Sequence, residues 1–539
     1  MNMRNFDFRL LAAAALLSFT MPSAHASEST MADWVEQQDT QRENLAIVAM
    51  TIDGDNVSHV AKGVSTPGGE MPDEMTQFQI GSITKAMTNL LLAEMVAADK
   101  VRYDTTVAEI LGKDFAPKNA AVSKITLQAL ATHSSGLPRL PANLAVSDPL
   151  DPYKGYDNDK LIEGLATARM LQPLGNHYAY SNFGVGLLGY LLGEVHGEGY
   201  ATAMQQYVLE PLGLKHTGTF DTDNQAAGFS GGDVVPAWDM TDSLAGAGAL
   251  WGSTADFERI ARVLLGDTPS ALKHALADDL AVAVKGGDGY DVTRVWHVAY
   301  DGEQPVYWHN GGTGGFSSFF GFRLDTHQAI AIFVSGDSDP TEGGLAALNA
   351  QPAPVASGTV DAQALGQYTL TPQFGIGIVE QDGQLIATPT GQPPYALSPV
   401  KDDWYALNNV DASIHFVRED DQITGLELAQ GGVLQPAQKT ADTAASLSVE
   451  VVELSTETLA QYTGEFALGP GATFTIRPRD GGLEAKLTGQ AFYPIFAKGD
   501  DVFFYKIVAA ELHFQRDDAG VINALVLHQG GMEQRAEKQ

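Results

Sequence analysis

Thr390 and Thr488 stand 98 residues apart, and so do His415 and His513. Around them the chain repeats itself. "TGQPPYALSPV" at 390–400 answers "TGQAFYPIFAK" at 488–498, and "ASIHFVREDDQITGLELAQGG" at 412–432 answers "AELHFQRDDAGVINALVLHQGG" at 510–531. A repeat at a fixed long period is one structural unit used twice. Each copy is a string of short alternating segments broken by Asp-Gly, Asp-Asp or Gly-Gly, the pattern of antiparallel strands joined by tight turns. A run of short strands hides its apolar face and its edges by closing on itself. The repeat therefore predicts two small antiparallel β-barrels, at 361–436 and 455–534, joined by a polar linker over 437–454.

Before the repeat the texture differs. A linker at 346–360 is rich in Ala and Pro ("NAQPAPVASGTV"), and residues 27–345 mix two periodicities. "ITKAMTNLLLAEMVAADK" carries Ile83, Met87, Leu90, Leu91 and Met95 at helical spacing, "GVGLLGYLLGEVHG" (184–197) reads as a buried helix, and "ADFERIARVLLG" (255–266) is amphipathic with Gly266 as its stop. "AIAIFVSG" (329–336) reads as a buried strand, and "TRVWHVAY", "PVYWHNGG" and "GFSSFFGFRL" follow one another as antiparallel strands. Helices and antiparallel strands sharing one region predict an α/β or α+β layout.

Residues 1–26 have the features of an export leader: Arg4 and Arg9, the apolar run "LLAAAALL" at 10–17, and "AHA" at 24–26 as a cleavage site. No later apolar run reaches the length of a membrane span. The expectation is a mature chain from about Ser27, periplasmic or secreted. Cysteine is absent, which removes disulfides, thiolate nucleophiles and Cys-based zinc sites. The formal charge is −34; without the leader it is 30 basic against 65 acidic residues, or −35. So acidic a chain does not suit nucleic acid or an anionic membrane.

Three weak motifs carry the chemistry. Ser-x-x-Lys occurs at Ser82/Lys85, Ser270/Lys273 and Ser398/Lys401. Only the first follows an alternating strand ending in glycine ("TQFQIG") and opens an apolar helix. There, positions i and i+3 share a helix face, so Lys85 can reach the Ser82 hydroxyl. On a wet surface the pair is an ordinary helix start. To act as a base near neutral pH a lysine must drop by about three pKa units, roughly 4 kcal/mol, through burial or a second cation. Tyr-x-Asn occurs at Tyr156-Asp157-Asn158, in a polar loop-like stretch, and at Tyr180-Ser181-Asn182, between a loop and a buried helix. A phenol beside a lysine and a serine relays a proton, and an adjacent amide orients a substrate carbonyl or amide; the plainer account of Tyr180 is a core aromatic at a helix cap. His-x-Gly occurs at His216, His309 and His528. His216 reads as a post-helix loop and His528 as part of a barrel strand. His309-Asn310-Gly311 ends a strand beside a glycine-rich turn, where a substrate can approach backbone N–H groups; a plain hairpin explains it equally well. "GVGLLG" matches a dinucleotide fingerprint but follows no buried strand. There is no Gly-x-Ser-x-Gly elbow, Walker lysine or His-Glu-x-x-His, so no cofactor and no metal are expected.

The ordered set is similar to the penicillin-recognising serine hydrolases, the group of class C β-lactamases, DD-peptidases, related esterases and D-aminopeptidases. "LATHSSGLP" (130–138), "PLGLKHT" (211–217), "GALWGSTADFERI" (248–260) and "WHNGGTGGF" (308–316) agree with it, over about residues 30–340. A hydrolase domain before two lipocalin-like barrels resembles the D-stereospecific aminopeptidases. The resemblance implies an antiparallel sheet flanked by helices, an all-helical lobe, and a site between them. It makes Ser82 the nucleophile, Lys85 the base or proton shuttle, Tyr180 a second relay and His309 the third-motif residue. Asn182, Asn310, Gly311 and Gly312 become substrate-binding residues, with the N–H groups of Ser82 and Gly312 as oxyanion hole. The third motif of the lactamases carries lysine where this chain has His309. A histidine of ordinary pKa is mostly neutral at pH 7, so the rate is expected to vary with pH around its titration, and Arg139 is the candidate for the missing cation. The implied function is an exported enzyme acting through an acyl-enzyme on Ser82. Its expected substrate is a D-amino-acid peptide, cleaved as a carboxypeptidase or an aminopeptidase. A broad esterase or weak β-lactamase is the alternative, and a binding or scaffold protein with a relict hydrolase domain is a third.

Overall fold

The computed structural model describes residues 31–539 apart from scattered short stretches, the longest being 273–279, 352–359 and 444–451. The expected leader lies outside the described residues. The chain divides into two compact units that part between Val355 and Ala356.

The first unit is built on a sheet of eight described strands: β1 (Asn44–Asp53), β2 (Asn56–Gly63), β3 (Val284–Gly287), β4 (Tyr290–Val292), β5 (His297–Asp301), β6 (Gln304–Thr313), β7 (Phe316–Arg323) and β8 (Gln328–Gly336). Their order is β2-β1-β8-β7-β6-β5-β4-β3, every pairing antiparallel. The chain's two ends of this region thus meet at β1 and β8, the second and third strands of the order. Both faces are covered, which is why the central strands read as continuous apolar runs. Along β8, Ala329, Ala331 and Phe333 enter one core while Ile330, Ile332 and Val334 enter another, the period-two alternation of a pleated strand. The second core is closed by helices α1 (Met31–Gln37) and α6 (Thr341–Ala347), through Met31, Val35 and Leu345.

The first core is larger and holds the helical lobe, with α2 (Thr84–Ala97), α3 (Asn182–His196) and α4 (Ala245–Gly248), together with α5 (Thr254–Leu265), which packs on β1, β7 and β8. Helix α3 begins on Ser181, whose Oγ accepts the Gly184 N–H, and ends on Gly197 in the left-handed region. Its glycines explain the false dinucleotide fingerprint. A Cβ on Gly189 would lie 2.8 Å from the Gly246 Cα, and one on Gly186 2.6 Å from Leu244 Cδ2. The helix is glycine-rich so that α4 can lie against its backbone.

The second unit holds two closed barrels of eight described strands each, from Gly366 to Ala441 and from Gly464 to Lys538. The period is visible in their interiors. Ile378 and Ile476, Leu385 and Leu483, Ala387 and Ala485, and Phe416 and Phe514 occupy equivalent core places. After the turn at 517–521 the offset becomes 99, so that Ile423 answers Ile522 and Leu426 answers Leu525. Each barrel also repeats one ion pair. Asp403 and Asp501 sit at φ 63° and 62°. Arg418 Nε lies 2.6 Å from Asp403 Oδ2 and Arg516 Nη2 lies 2.7 Å from Asp501 Oδ1. In the first barrel Asp361 adds a second carboxylate to the same guanidinium, and in the second the Tyr462 hydroxyl donates to Asp501.

These pairs tie the start of each barrel to a turn between later strands. Arg418→Ala is expected to cost the first barrel about 1 kcal/mol, as half-buried pairs do. Limited chymotryptic digestion with mass analysis should show faster cleavage within 366–441. Arg516→Ala should shift the cleavage to 464–538.

Candidate active site

The strand leading to Ser82 is short: Phe78–Gln79 pairs with Trp251–Gly252. Gly81 then turns the chain at φ 49°, the left-handed region where a side chain is strained. Ser82 lies in the single 3₁₀ turn Gly81–Ile83 that runs directly into α2. This turn meets the end of β6 backbone to backbone. A Cβ on Gly81 would lie 2.6 Å from the Gly312 nitrogen. A Cβ on Gly311 would lie 2.8 Å from the Ser82 nitrogen and 2.6 Å from Ser318 Oγ, and would collide with the Ile80 carbonyl. The Ser318 hydroxyl, on β7 beside β6, donates to that carbonyl at 2.8 Å and ties the turn to the sheet. Gly312 is exposed, and nothing but the Phe316 carbonyl, at 3.9 Å, comes near its missing Cβ. The backbone nitrogens of Ser82 and Gly312 are therefore neighbours beside an open face.

Lys85 is 1% exposed. Its Nζ donates to Ser82 Oγ at 2.8 Å and to the Ala247 carbonyl, in α4, at 2.7 Å. Burial pushes the amine well below its ordinary pKa, and the positive field of Arg139 adds to the effect. An amine held this way reaches its neutral form far below pH 10 and then offers a lone pair to the Ser82 hydroxyl. The glycines of α3 matter here, because they let α4, and with it the Ala247 carbonyl, lie this deep in the core.

Nζ also lies 4.8 Å from the centre of the Tyr180 ring, and the Arg139 guanidinium 5.0 Å from it. His133 stacks on the same ring with centroids 4.5 Å apart. The residue before Tyr180 and the residue after it are both held by His133. The Ala179 N–H donates to the His133 carbonyl at 2.7 Å, and the Ser181 N–H to His133 Nδ1 at 3.1 Å. Ser181 Oγ donates to the Pro138 carbonyl at 2.7 Å. The "THSSGLP" segment is thus a cradle for Tyr180, although its spacing alone did not reveal that role. Asn182, the first residue of α3, donates through Nδ2 to the Tyr153 hydroxyl at 3.1 Å. Its buried Oδ1, like the buried Thr313 Oγ1 at the end of β6, has no hydrogen-bond partner among the described residues. A buried acceptor left open costs stability unless something else fills it.

His309 differs from the expectation of an ordinary titration. It is 3% exposed and its ring lies 5.0 Å from that of His297. Burial, then His297 and Lys85, push its pKa well down, against a smaller upward pull from the Asn310 carbonyl. His297 is likewise pushed down, to about 4, by burial and Lys85. His309 Nδ1 lies 2.6 Å from the Asn310 carbonyl, which only accepts, so Nδ1 carries the hydrogen and Nε2 keeps its lone pair. Asn310 needs a correction. The alternation of β6 turns it away from its neighbours, and its Nδ2 donates to Thr341 Oγ1 of α6, on the far side of the sheet, at 2.9 Å.

The remaining motif matches fall elsewhere. Tyr156 is buried, and its hydroxyl donates to Asn143 Oδ1 at 2.8 Å. His216 lies in a bend whose N–H donates to Asp256 Oδ2 at 2.7 Å. His528 lies on a strand of the second barrel and Ser398/Lys401 on a strand of the first. Lys273 lies outside the described residues.

Comparison with known proteins agrees with this geometry. Residues 31–353, more than half of the chain, match the family model described as Beta-lactamase. Penicillin-binding protein 4 of Amycolatopsis lactamdurans is 29% identical over 344 residues, 59% of this chain and 86% of the relative. The D-alanyl-D-alanine-carboxypeptidase/endopeptidase AmpH of Escherichia coli is 28% identical over 174 residues, 31% of this chain, and the match spans 43% of that relative's length. The crystal structure of SurE superposes with a TM-score of 0.53 at 21% identity, covering 74% of this chain and 95% of its own. A class C beta-lactamase does so at 0.50 and 17%, covering 58% of this chain and 92% of its own. At these identities the two structures speak to the fold.

Two outcomes follow. Because burial pushes the His309 pKa well below its ordinary value, kcat/KM should carry no limb near the ordinary histidine titration that His309→Gln removes. A limb carried by Lys85 should rise with pH at a position below that of an ordinary amine, and Lys85→Arg, which stays protonated, should cost about 10³-fold. Gly311→Ala should cut the labelling of Ser82 by a fluorophosphonate at least tenfold and destabilise the first unit by about 1–3 kcal/mol. Labelling kinetics and thermal melts check the second pair of effects.

Proposed function

We propose, from the premise that this chain belongs to the Beta-lactamase family and is a serine hydrolase, that it cleaves peptides containing D-amino acids through an acyl-enzyme on Ser82. One observation carries the reading: a fully buried lysine amine 2.8 Å from the Ser82 hydroxyl. An amine buried at that distance from a hydroxyl is costly to fold and suits the activation of a nucleophile. A relict domain has no need of it, which weighs against a purely binding or scaffold role.

Lys85 takes the hydroxyl proton as Ser82 Oγ attacks the carbonyl. The developing oxyanion lies against the N–H groups of Ser82 and Gly312, a pair of donors of the kind worth about 10²–10³-fold each. Tyr180, with its ring beside Nζ, passes the proton to the leaving nitrogen. Asn182 Oδ1 accepts the N–H of the acyl side, and water reverses the sequence to free the enzyme. His309 contributes a neutral wall with an acceptor nitrogen. A permanent cation on this strand, as in the Lys-Thr-Gly lactamases, is missing, and this favours peptidase chemistry over an efficient β-lactamase. The names of the relatives, a penicillin-binding protein and a D-alanyl-D-alanine-carboxypeptidase, support the same substrate class. Export through residues 1–26, to meet such peptides outside the cytoplasm, belongs to the same reading. No helix among the described residues is long and apolar enough to cross a membrane.

Intact-mass spectrometry with a fluorophosphonate or a labelled penicillin tests the nucleophile. An adduct on Ser82 in the wild type and none in Ser82→Ala is expected, and an adduct that survives the substitution would sink the mechanism. Faster turnover of a D-alanine p-nitroanilide than of short p-nitrophenyl esters is the expected sign of a peptidase; the reverse order identifies an esterase.

A further inference from the structure

His133 is buried, and no proton of the acyl transfer passes through it. Yet it touches each residue from 178 to 181. Tyr178 meets its ring edge-on, with centroids 5.5 Å apart and planes at 75°. The Ala179 N–H donates to its carbonyl at 2.7 Å. The Tyr180 ring stacks on it, with centroids 4.5 Å apart and planes at 25°. The Ser181 N–H donates to its Nδ1 at 3.1 Å. His133 makes these contacts from a φ of 55°, in the left-handed region that a residue other than glycine seldom occupies. Such a backbone persists only where its surroundings over-determine it, and it gathers at functional sites.

The Ser181 contact also fixes the charge of the ring. A backbone N–H only donates, so Nδ1 keeps its lone pair, the hydrogen sits on Nε2 and the imidazole is neutral. Burial opposes a charge there, and so do Lys85, His297, His309 and Arg139. The Tyr180 ring already has the Lys85 amine 4.8 Å and the Arg139 guanidinium 5.0 Å from its centre. A neutral imidazole stacks on that ring without adding a third cation. An amide C–N bond breaks readily only when its nitrogen receives a proton. Tyr180 gives its hydroxyl proton to that nitrogen and regains one from Lys85, which took it from Ser82; each transfer needs hydrogen-bond reach. We propose that His133 is a positioning residue for this step, a neutral clamp that aims the Tyr180 hydroxyl at the leaving nitrogen and acts only through that phenol. The proposal rests on the acyl-enzyme reading above. Its effect is confined to substrates whose leaving group needs a proton.

The test compares D-alanine p-nitroanilide with D-alanine p-nitrophenyl ester, using the full-length protein. Both form the same acyl-enzyme, but p-nitrophenolate departs without a proton and the anilide nitrogen does not. The ratio of their kcat/KM values, anilide over ester, is the readout. A merely structural loss slows both alike and leaves the ratio unchanged. His133→Asn tolerates the left-handed backbone and keeps a polar side chain, but it lacks the stacked ring. It should lower the ratio at least about tenfold, and His133→Gly, unstrained at that φ, should do likewise. Tyr180→Phe should lower it about a hundredfold, and adding His133→Asn to Tyr180→Phe should change it no further. Uptake of fluorophosphonate on Ser82, whose fluoride leaves without a proton, shows that each variant is folded. Anilide and ester rates that fall together, or a double variant with a lower ratio than Tyr180→Phe, overturn the proposal and leave the acyl-enzyme reading standing. A wild type that hydrolyses the ester alone does the same. A wild type that takes no adduct on Ser82 overturns both.

Discussion

Everything in the first unit is organised around one ammonium group that has been taken out of water. Lys85 Nζ has two oxygen partners, Ser82 Oγ and the Ala247 carbonyl, and a flat aromatic wall. Such burial normally forces a lysine to give up its charge. The fold does not relieve this; it maintains it. The large core closes over α2, the glycines of α3 admit α4 against its backbone, and Gly81 and Gly311 press the serine turn onto β6. Arg139 supplies further positive potential. These features come from segments up to 230 residues apart (Gly81 and Gly311) and share one result, a serine hydroxyl hydrogen-bonded to a buried amine whose pKa is pushed down.

Much of the fold was legible because periodicity is a local signal. The alternation in "AIAIFVSG" and the apolar spacing after Ile83 each describe one element, and the structure places β8 and α2 there. The 98-residue repeat was legible for the same reason, since equivalent core positions must keep equivalent residues. The approach of Ser82 to Lys85 was readable from the strand-glycine-helix context alone. The rest was hidden where partners are backbone atoms or come from afar. The Ala247 carbonyl has no side-chain signature, so no motif could announce it. His133 lay within a noticed segment, but its hold on Ala179 and Ser181 depends on folding. The pKa of His309 was misjudged because burial beside His297 cannot be read from "WHNGG". Asn310 was grouped with its neighbours by sequence, whereas a strand sends adjacent side chains to opposite faces.

The barrels obey a simpler economy. Their interiors are filled by apolar side chains drawn from alternate positions, as small eight-stranded barrels require. Duplication preserved the residues that pack and the arginine–aspartate brace, while the second carboxylate of the first barrel, Asp361, gave way to the hydroxyl of Tyr462 in the second. What was retained is what closes each barrel. Every side chain named at the Ser82 site precedes Val355.

The missing methyl groups of α3 have a consequence for how such an enzyme fails. The dryness around the base depends on a gap in which a helix turn fits against Gly189 with no room to spare. Slight loosening there would admit a water molecule long before the sheet came apart. Once hydrated, the amine would recover its proton and cease to be a base. Inactivation by wetting, silent to any probe of secondary structure, would thus precede melting.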